Sequence, residues 1–265
     1  MKKGLKIAAA GIGIPLGAVL IAGLIVPGLP AKMIVKTYCV NIDKTASPSP
    51  YDDIKPQDDW KRITAGGMTM LVPPTVEAKD DGLTAEAGSC LFSDSEGSGT
   101  AVLVDSPQDL GTLDLQAFQQ KGGMFRLGLS EPSVQKFLDD MGKPPVNDYA
   151  GLMDVLLDMN TDTCNIFSLR KASAFTSFAF LKEIMMPAAE DFWKCETENG
   201  TGFLLLTHSP QADDTASHYT YSLDLFEKQN GNAEHRVMVM AADTDTCLAI
   251  LNTAEIVNEA ASAQK

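Results

Sequence analysis

The run from Ile7 to Ala31 carries no charged or polar side chain; Lys2, Lys3 and Lys6 precede it and Lys32 and Lys36 follow. A helix crosses the hydrocarbon of a bilayer with roughly 20 apolar residues, so this stretch has the length and composition of a transmembrane segment. A secretory leader has an apolar region of only about 7–15 residues, which favours an uncleaved signal-anchor over residues 1–36, with the membrane contacted through residues 7–31. Val26-Pro27-Gly28 and Leu29-Pro30-Ala31 also offer small residues for cleavage, in which case the product is secreted. Pro15 can kink the helix. Three lysines and the amino terminus lie before the span and two lysines after it, so the positive-inside tendency keeps the N-terminus cytoplasmic and exports the rest. Cys39 follows Lys36-Thr37-Tyr38 rather than the small residues of a lipid-attachment site.

All 35 acidic residues lie beyond Lys36, with 16 of the 21 basic ones, so the exported part carries a formal charge of −19. Such a polyanion is repelled by phosphate backbones and by anionic head groups, which argues against nucleic-acid binding and against a second, peripheral membrane contact. The five cysteines, at 39, 90, 164, 195 and 247, show no Cys-x-x-Cys spacing and no paired histidine, so a structural zinc is not expected. Outside the cytosol four of them could form two bridges in three connectivities. A domain of about 200 residues folds without staples, and buried thiols pack as small hydrophobes, so mostly free cysteines are expected.

Residues 37–59 are polar and carry Pro48, Pro50 and Pro56, the composition of a stalk. Residues 60–258 read as one globular domain and 259–265 as a tail. Alternating apolar residues predict strands at Met68–Val72, Cys90–Phe92 and Ala101–Val104, then at Trp193–Thr197, Phe203–Leu206, Tyr219–Leu225 and Val237–Met240. Asn199-Gly200 and Asn230-Gly231 lie between such runs, and Asn-Gly supplies the positive φ of a tight hairpin turn. Helices are predicted after a Ser130 cap, after an Asn147 cap, over Phe167–Met186 as far as Pro187, and from an Asp243 cap through Cys247, Ile250, Leu251, Ala254 and Val257. Antiparallel strands with covering helices make an α+β domain.

Trp60 followed by the Met68–Pro73 strand, the closing hairpin from Tyr219 to Met240 and a last helix opening Asp243-Thr244-Asp245 resemble the Mog1/PsbP-like fold of exported bacterial proteins. The resemblance implies a curved antiparallel sheet covered by helices, with Leu127–Asn160 an added helical pair. Members of that fold range from a photosystem accessory subunit to a regulator of a small GTPase, so it implies no single activity and no functional residue.

Asp94, Glu96 and Asp105 are the calcium candidates. Asp94-Ser95-Glu96-Gly97-Ser98-Gly99 with Asp105 imitates the oxygen spacing of an EF-hand loop, but strands rather than helices flank it, and a hairpin turn accounts for it. Asp158-x-Asn160-x-Asp162 is a second echo, explained by a helix exit. Gly97-Ser98-Gly99 lacks the serine-nucleophile elbow. Cys195 with His208 or His235 as base would form a thiol centre, yet a strand cysteine facing the core explains Cys195, and His208, His218 and His235 read as surface or edge residues. Asp80-Asp81, Asp139-Asp140 and Asp213-Asp214 read as solvated acids. Met68, Met70, Met185, Met186, Met238 and Met240 suit a core before an adaptable groove. No cofactor motif is present. The chain reads as a membrane-anchored, extracytoplasmic binding or accessory domain with an envelope protein as partner; the alternative is a hydrolase-like envelope enzyme.

Overall fold

The computed structural model describes residues 28–44, 46, 54–79, 88–95, 99–115, 131–163, 169–186, 191–209 and 218–257. Most of the apolar run, Ile7 to Pro27, lies outside them. Among the described residues no helix is long and apolar enough to cross a membrane. The fold is α+β with antiparallel sheets. Where one globular domain over 60–258 is expected, the chain divides into two compact units that share its length in alternating segments.

The first unit takes residues 1–45, 114–145 and 158–187. It holds helix α1 (Leu29–Tyr38), helix α2 (Glu131–Met141), a short 3-10 turn at Thr161–Thr163 and helix α4 (Leu169–Met185). Pro30 in the first turn starts α1, because the missing N–H costs nothing there. Val134, Phe137 and Leu138 form the buried face of α2, and Gly142 ends it at φ +68°. Phe137 stacks on Phe178 of α4 at 5.3 Å between ring centroids and meets Phe175 at 6.4 Å. Residues 41–44, at the start of the stretch read as a stalk, are packed. Asn41 and Ile42 are buried, Asn41 Nδ2 donates to the Met186 carbonyl at 2.8 Å, and the Asp43 carboxylate accepts from the N–H and hydroxyl of Thr161. Asn160 Oδ1 accepts from the N–H groups of Asp162 and Thr163, so the second calcium-like echo is an Asx turn closing a helix.

The second unit takes residues 46–113, 146–157 and 188–265. Its larger sheet runs in the order β3 (Val76–Lys79), β4 (Cys90–Asp94), β5 (Ala101–Val104), β10 (Ala233–Ala241), β9 (His218–Glu227), β8 (Gly200–Ser209) and β7 (Asp191–Glu196), with β6 (Gln108–Asp109) added beside β10. The smaller one pairs β1 (Lys61–Ala65), β2 (Met68–Val72) and β11 (Glu255–Ile256). The period-2 alternation sends Leu204, Tyr221, Leu223, Leu225, Val237, Val239, Val102, Val104, Trp193 and Cys195 to one face, where they meet Met68, Met70 and Val72 of β2 and Cys247, Ile250 and Leu251 of helix α5 (Thr244–Leu251). On the opposite face of β7, Lys194 pairs with Asp154 of helix α3 (Tyr149–Asp158), and Ala150 N–H donates to Gly231 O at 3.0 Å.

The predicted strands are present, and β1, β3, β6 and β11 join them. Two helix ends differ from expectation. Asp148, not Asn147, caps α3, its carboxylate accepting from Gly151 N–H at 2.8 Å. Asp243 caps α5 through Thr246 N–H at 2.7 Å as expected, but α5 stops at Leu251, since Ile256 pairs with Met68 and Glu255 with Thr69. Cys39, Cys195 and Cys247 are buried and Cys90 is exposed, and none of the four is in a disulfide. Burial pushes the thiol of Cys39 up to about 11 and that of Cys247 up to about 12. Cys164 lies outside the described residues.

Lys182 of α4 is fully buried, its ammonium donating to the carbonyls of Lys44 at 2.6 Å and Met159 at 2.8 Å. Burial lowers its pKa to about 8, against the pull of Asp158, Asp43 and Glu183. Between that value and 10.5 the unfolded chain holds a proton that the folded one has released, so this group adds stability as pH rises through the window and loses it as pH falls. Urea denaturation across pH 8–10.5 should show that rise in the natural protein and its loss in Lys182→Met.

Candidate functional site

At one end of the larger sheet the turn between β7 and β8 lies beside the turn between β9 and β10. Asn199-Gly200 and Asn230-Gly231 lie at these turns, but neither glycine has the positive φ expected of a tight Asn-Gly turn. Thr197 N–H donates to Gly200 O at 2.9 Å, and Asn199 O accepts from Lys228 N–H at 3.0 Å, which ties the two turns together. The β1–β2 turn at Gly66-Gly67 and the chain leaving β11 at Ile256-Val257 come to the same end, because Val257 N–H donates to Gly67 O at 2.8 Å and Asn199 Nδ2 to Ile256 O at 3.1 Å. Between them is a cleft of about 470 Å³, with Gly67, Glu198, Glu227, Lys228, His235 and Val257 among its lining residues.

His235 sits on central strand β10, 3 % exposed, although the sequence reads it as a surface or edge residue. Its position in phase with Val237 and Val239 turns the ring to the core face. Nε2 lies 3.1 Å from Glu227 Oε1, and Nδ1 lies 3.3 Å from Gly66 O. Both partners are acceptors, and a neutral ring donates to one of them only. Gly66 at φ +54° and Gly67 at φ +69° form the two-residue turn that delivers this carbonyl. A Cβ on Gly66 would stand 2.2 Å from Asp105 O, and one on Gly67 would stand 2.9 Å from His235 Cε1. The turn therefore rests directly on the imidazole. Lys228 reaches Glu196 at 3.0 Å on the outer side.

The other face of the ladder holds a second charged group. Arg236 stands opposite Asp224 in the β9–β10 register and donates to its carboxylate and, at 3.1 Å, to Glu234. Burial raises the pKa of Asp224 and of Glu234, and the Arg236 guanidinium opposes both shifts. Arg236 is a structural counter-ion for two acids that the sheet removes from water.

The candidates singled out by sequence fall apart in space. Asp94 lies opposite Val76 and takes a backbone bond from its N–H to Thr100 O, whereas Asp105 follows β5 at the other end of that hairpin and accepts from Ser89 Oγ at 2.7 Å. With Cys90 opposite Val104 and Ser93 opposite Ala101, the two carboxylates are separated by about five strand residues, or roughly 16 Å. Glu96 lies outside the described residues. Cys195, Gly202, Leu225 and His235 form one row across β7, β8, β9 and β10, so three strand spacings, about 14 Å, divide that thiol from that imidazole. Cys195 faces the core. The side chains of His208 and His218, and the pairs Asp80-Asp81 and Asp213-Asp214, are outside the described set. Met68 and Met70 are core residues, while Met240 is exposed, so the methionines form no common groove among the described residues. Gly66-Gly67 ahead of the alternating Met68–Val72 run was a readable turn signal for the cleft's floor; nothing in the sequence pairs His235 with Glu227.

No family model and no curated protein matches the chain. A crystal structure from Bacteroides thetaiotaomicron is similar to it at 10 % identity and a TM-score of 0.33, covering 76 % of this chain and 49 % of its own. The chain thus spans about half the length of that protein.

Gly67→Ala and Gly111→Ala provide a matched test of the turn. Both positions have φ near +70°, but an added Cβ meets His235 and Pro107 at the first and nothing within 4 Å at the second. Denaturation midpoints should give a loss of about 1 kcal/mol for Gly111→Ala from backbone strain alone, and about 1–3 kcal/mol more for Gly67→Ala.

Proposed function

We propose that the chain is a membrane-anchored extracytoplasmic domain that works by binding, as an accessory part of an envelope complex. The observation that carries this reading is the cleft at the turn end of the sheet, where His235 is held by Glu227 and Gly66 O below a rim of Glu198, Lys228 and main-chain groups. Polar groups converging in a concavity orient a ligand or an inserted side chain. The apolar run before residue 32 supports tethering, and the −19 charge beyond Lys36 supports a soluble, self-repelling exterior that selects against polyanionic partners. In this proposal the second unit is a variant of the Mog1/PsbP-like arrangement, with an antiparallel sheet covered on one face by α5 and the smaller sheet.

A photo-reactive amino acid in place of Gln229, which lines the cleft, tests the reading in full-length protein in its native membranes. The expected result is one discrete cross-linked product by mass spectrometry, reduced at least tenfold by His235→Leu. Protein that leaves the membrane in alkaline carbonate, or that emerges alone and monomeric without a product, overturns it.

A further inference from the structure

Six large apolar side chains are exposed among the described residues, and five of them are Met33, Ile34, Tyr38, Val40 and Ile184; Met240 is the sixth. The five share one neighbourhood of the first unit. Val35 and Cys39 turn inward from α1 and the residue after it, so Met33, Ile34, Thr37 and Tyr38 occupy a common outer stripe. Thr37 adds no polar edge to it, since its hydroxyl donates back to Met33 O at 2.8 Å. Asn41 carries the stripe onto the end of α4: its N–H donates to the Glu183 carboxylate at 3.1 Å and its amide to Met186 O at 2.8 Å, which sets Val40 beside the segment bearing Ile184. Lys32 and Lys36 border the stripe, and Lys36 pairs with Asp43 at 3.5 Å.

An exposed apolar face of this kind requires an occupant, and its place along the chain selects one. The charge-free stretch that begins at Ile7 ends at Ala31, and α1 starts within it at Leu29. If that stretch crosses the bilayer, Met33 lies within about two residues, or about 3 Å of helix rise, of its end. Gly28 is the N-cap of α1, and Pro30 lies in its first turn. An apolar stripe with a tyrosine at its far end and lysines along one border fits the boundary between head groups and acyl chains. We propose that Met33, Ile34, Tyr38, Val40 and Ile184 seat the first unit on the lipid surface beside its own anchor. The inference rests on the tethered reading above. It places a membrane contact where the local basic residues are, although the net charge of the exported part predicts none.

The test uses full-length protein with Cys90→Ser and Cys164→Ser, reconstituted into mixed phosphatidylcholine–phosphatidylglycerol vesicles, with one nitroxide at a time at Val40→Cys, Ile184→Cys or Met240→Cys. All three are exposed positions, and Met240 serves as the control in the second unit. Collision with oxygen relative to a water-soluble nickel chelate should be at least about threefold higher at 40 and 184 than at 240, as for probes 5–10 Å into the boundary. Equal, water-like ratios at all three positions in protein that floats with the vesicles overturn the inference and leave the anchor standing. Failure to float removes the anchor and the inference together. Spin–spin broadening at 40 and 184 that disappears on dilution with unlabelled protein assigns the face to a second copy instead and also overturns it.

Discussion

The hydrogen-bond ladder joining β8, β9 and β10 sets the position of nearly everything else in the second unit. Gly200–Ser209 pairs with His218–Glu227 without a break, and Phe226–Tyr219 pairs in turn with Glu234–Ala241. A slip of one residue would exchange the faces, carrying Leu223, Leu225, Val237 and Val239 out of the core and Asp224 and Arg236 into it. The register is fixed at one point by a contact only glycine permits: a Cβ on Gly202 would fall 1.8 Å from Asp224 O. The cleft depends on the same register, because Glu227 ends β9 where His235 stands two pairs into β10.

The two faces of this ladder handle charge differently. One buries Asp224 and Glu234 against a single guanidinium and raises the pKa of both acids. The other holds His235 beneath the cleft's rim, against Glu227 and the Gly66 carbonyl. In the first unit the ammonium of Lys182 is buried, and it donates to the backbone carbonyls of Lys44 and Met159.

The hairpins were legible because Asn199-Gly200 and Asn230-Gly231 interrupt clean alternation, and α2 was legible because Ser130, Pro132, Gly142 and Pro144 punctuate an apolar stripe. The edge strand β1 was not: Lys61-Arg62-Ile63-Thr64-Ala65 is only half covered, and its alternation is weak. The end of α5 was misread because Ala254 and Val257 keep a helical period after hydrogen bonding has passed to β2. The division into two units was hidden as well, since composition does not change at residues 113, 145, 157 or 187. Of the cleft, the turns could be read and the histidine could not, because its partner eight residues away is set by the strand register and not by any local motif.

The alternation of the two units along the chain has a consequence for how such a protein can be taken apart. The boundaries fall at 45, 113, 145, 157 and 187, and the junction at 157 falls within α3. No contiguous stretch contains all of either unit without a piece of the other. Expressing a trimmed fragment, or inheriting one by gene fusion, would therefore split at least one unit or carry pieces of the other, and the chain must be dissected by deleting and rejoining segments rather than by cutting once.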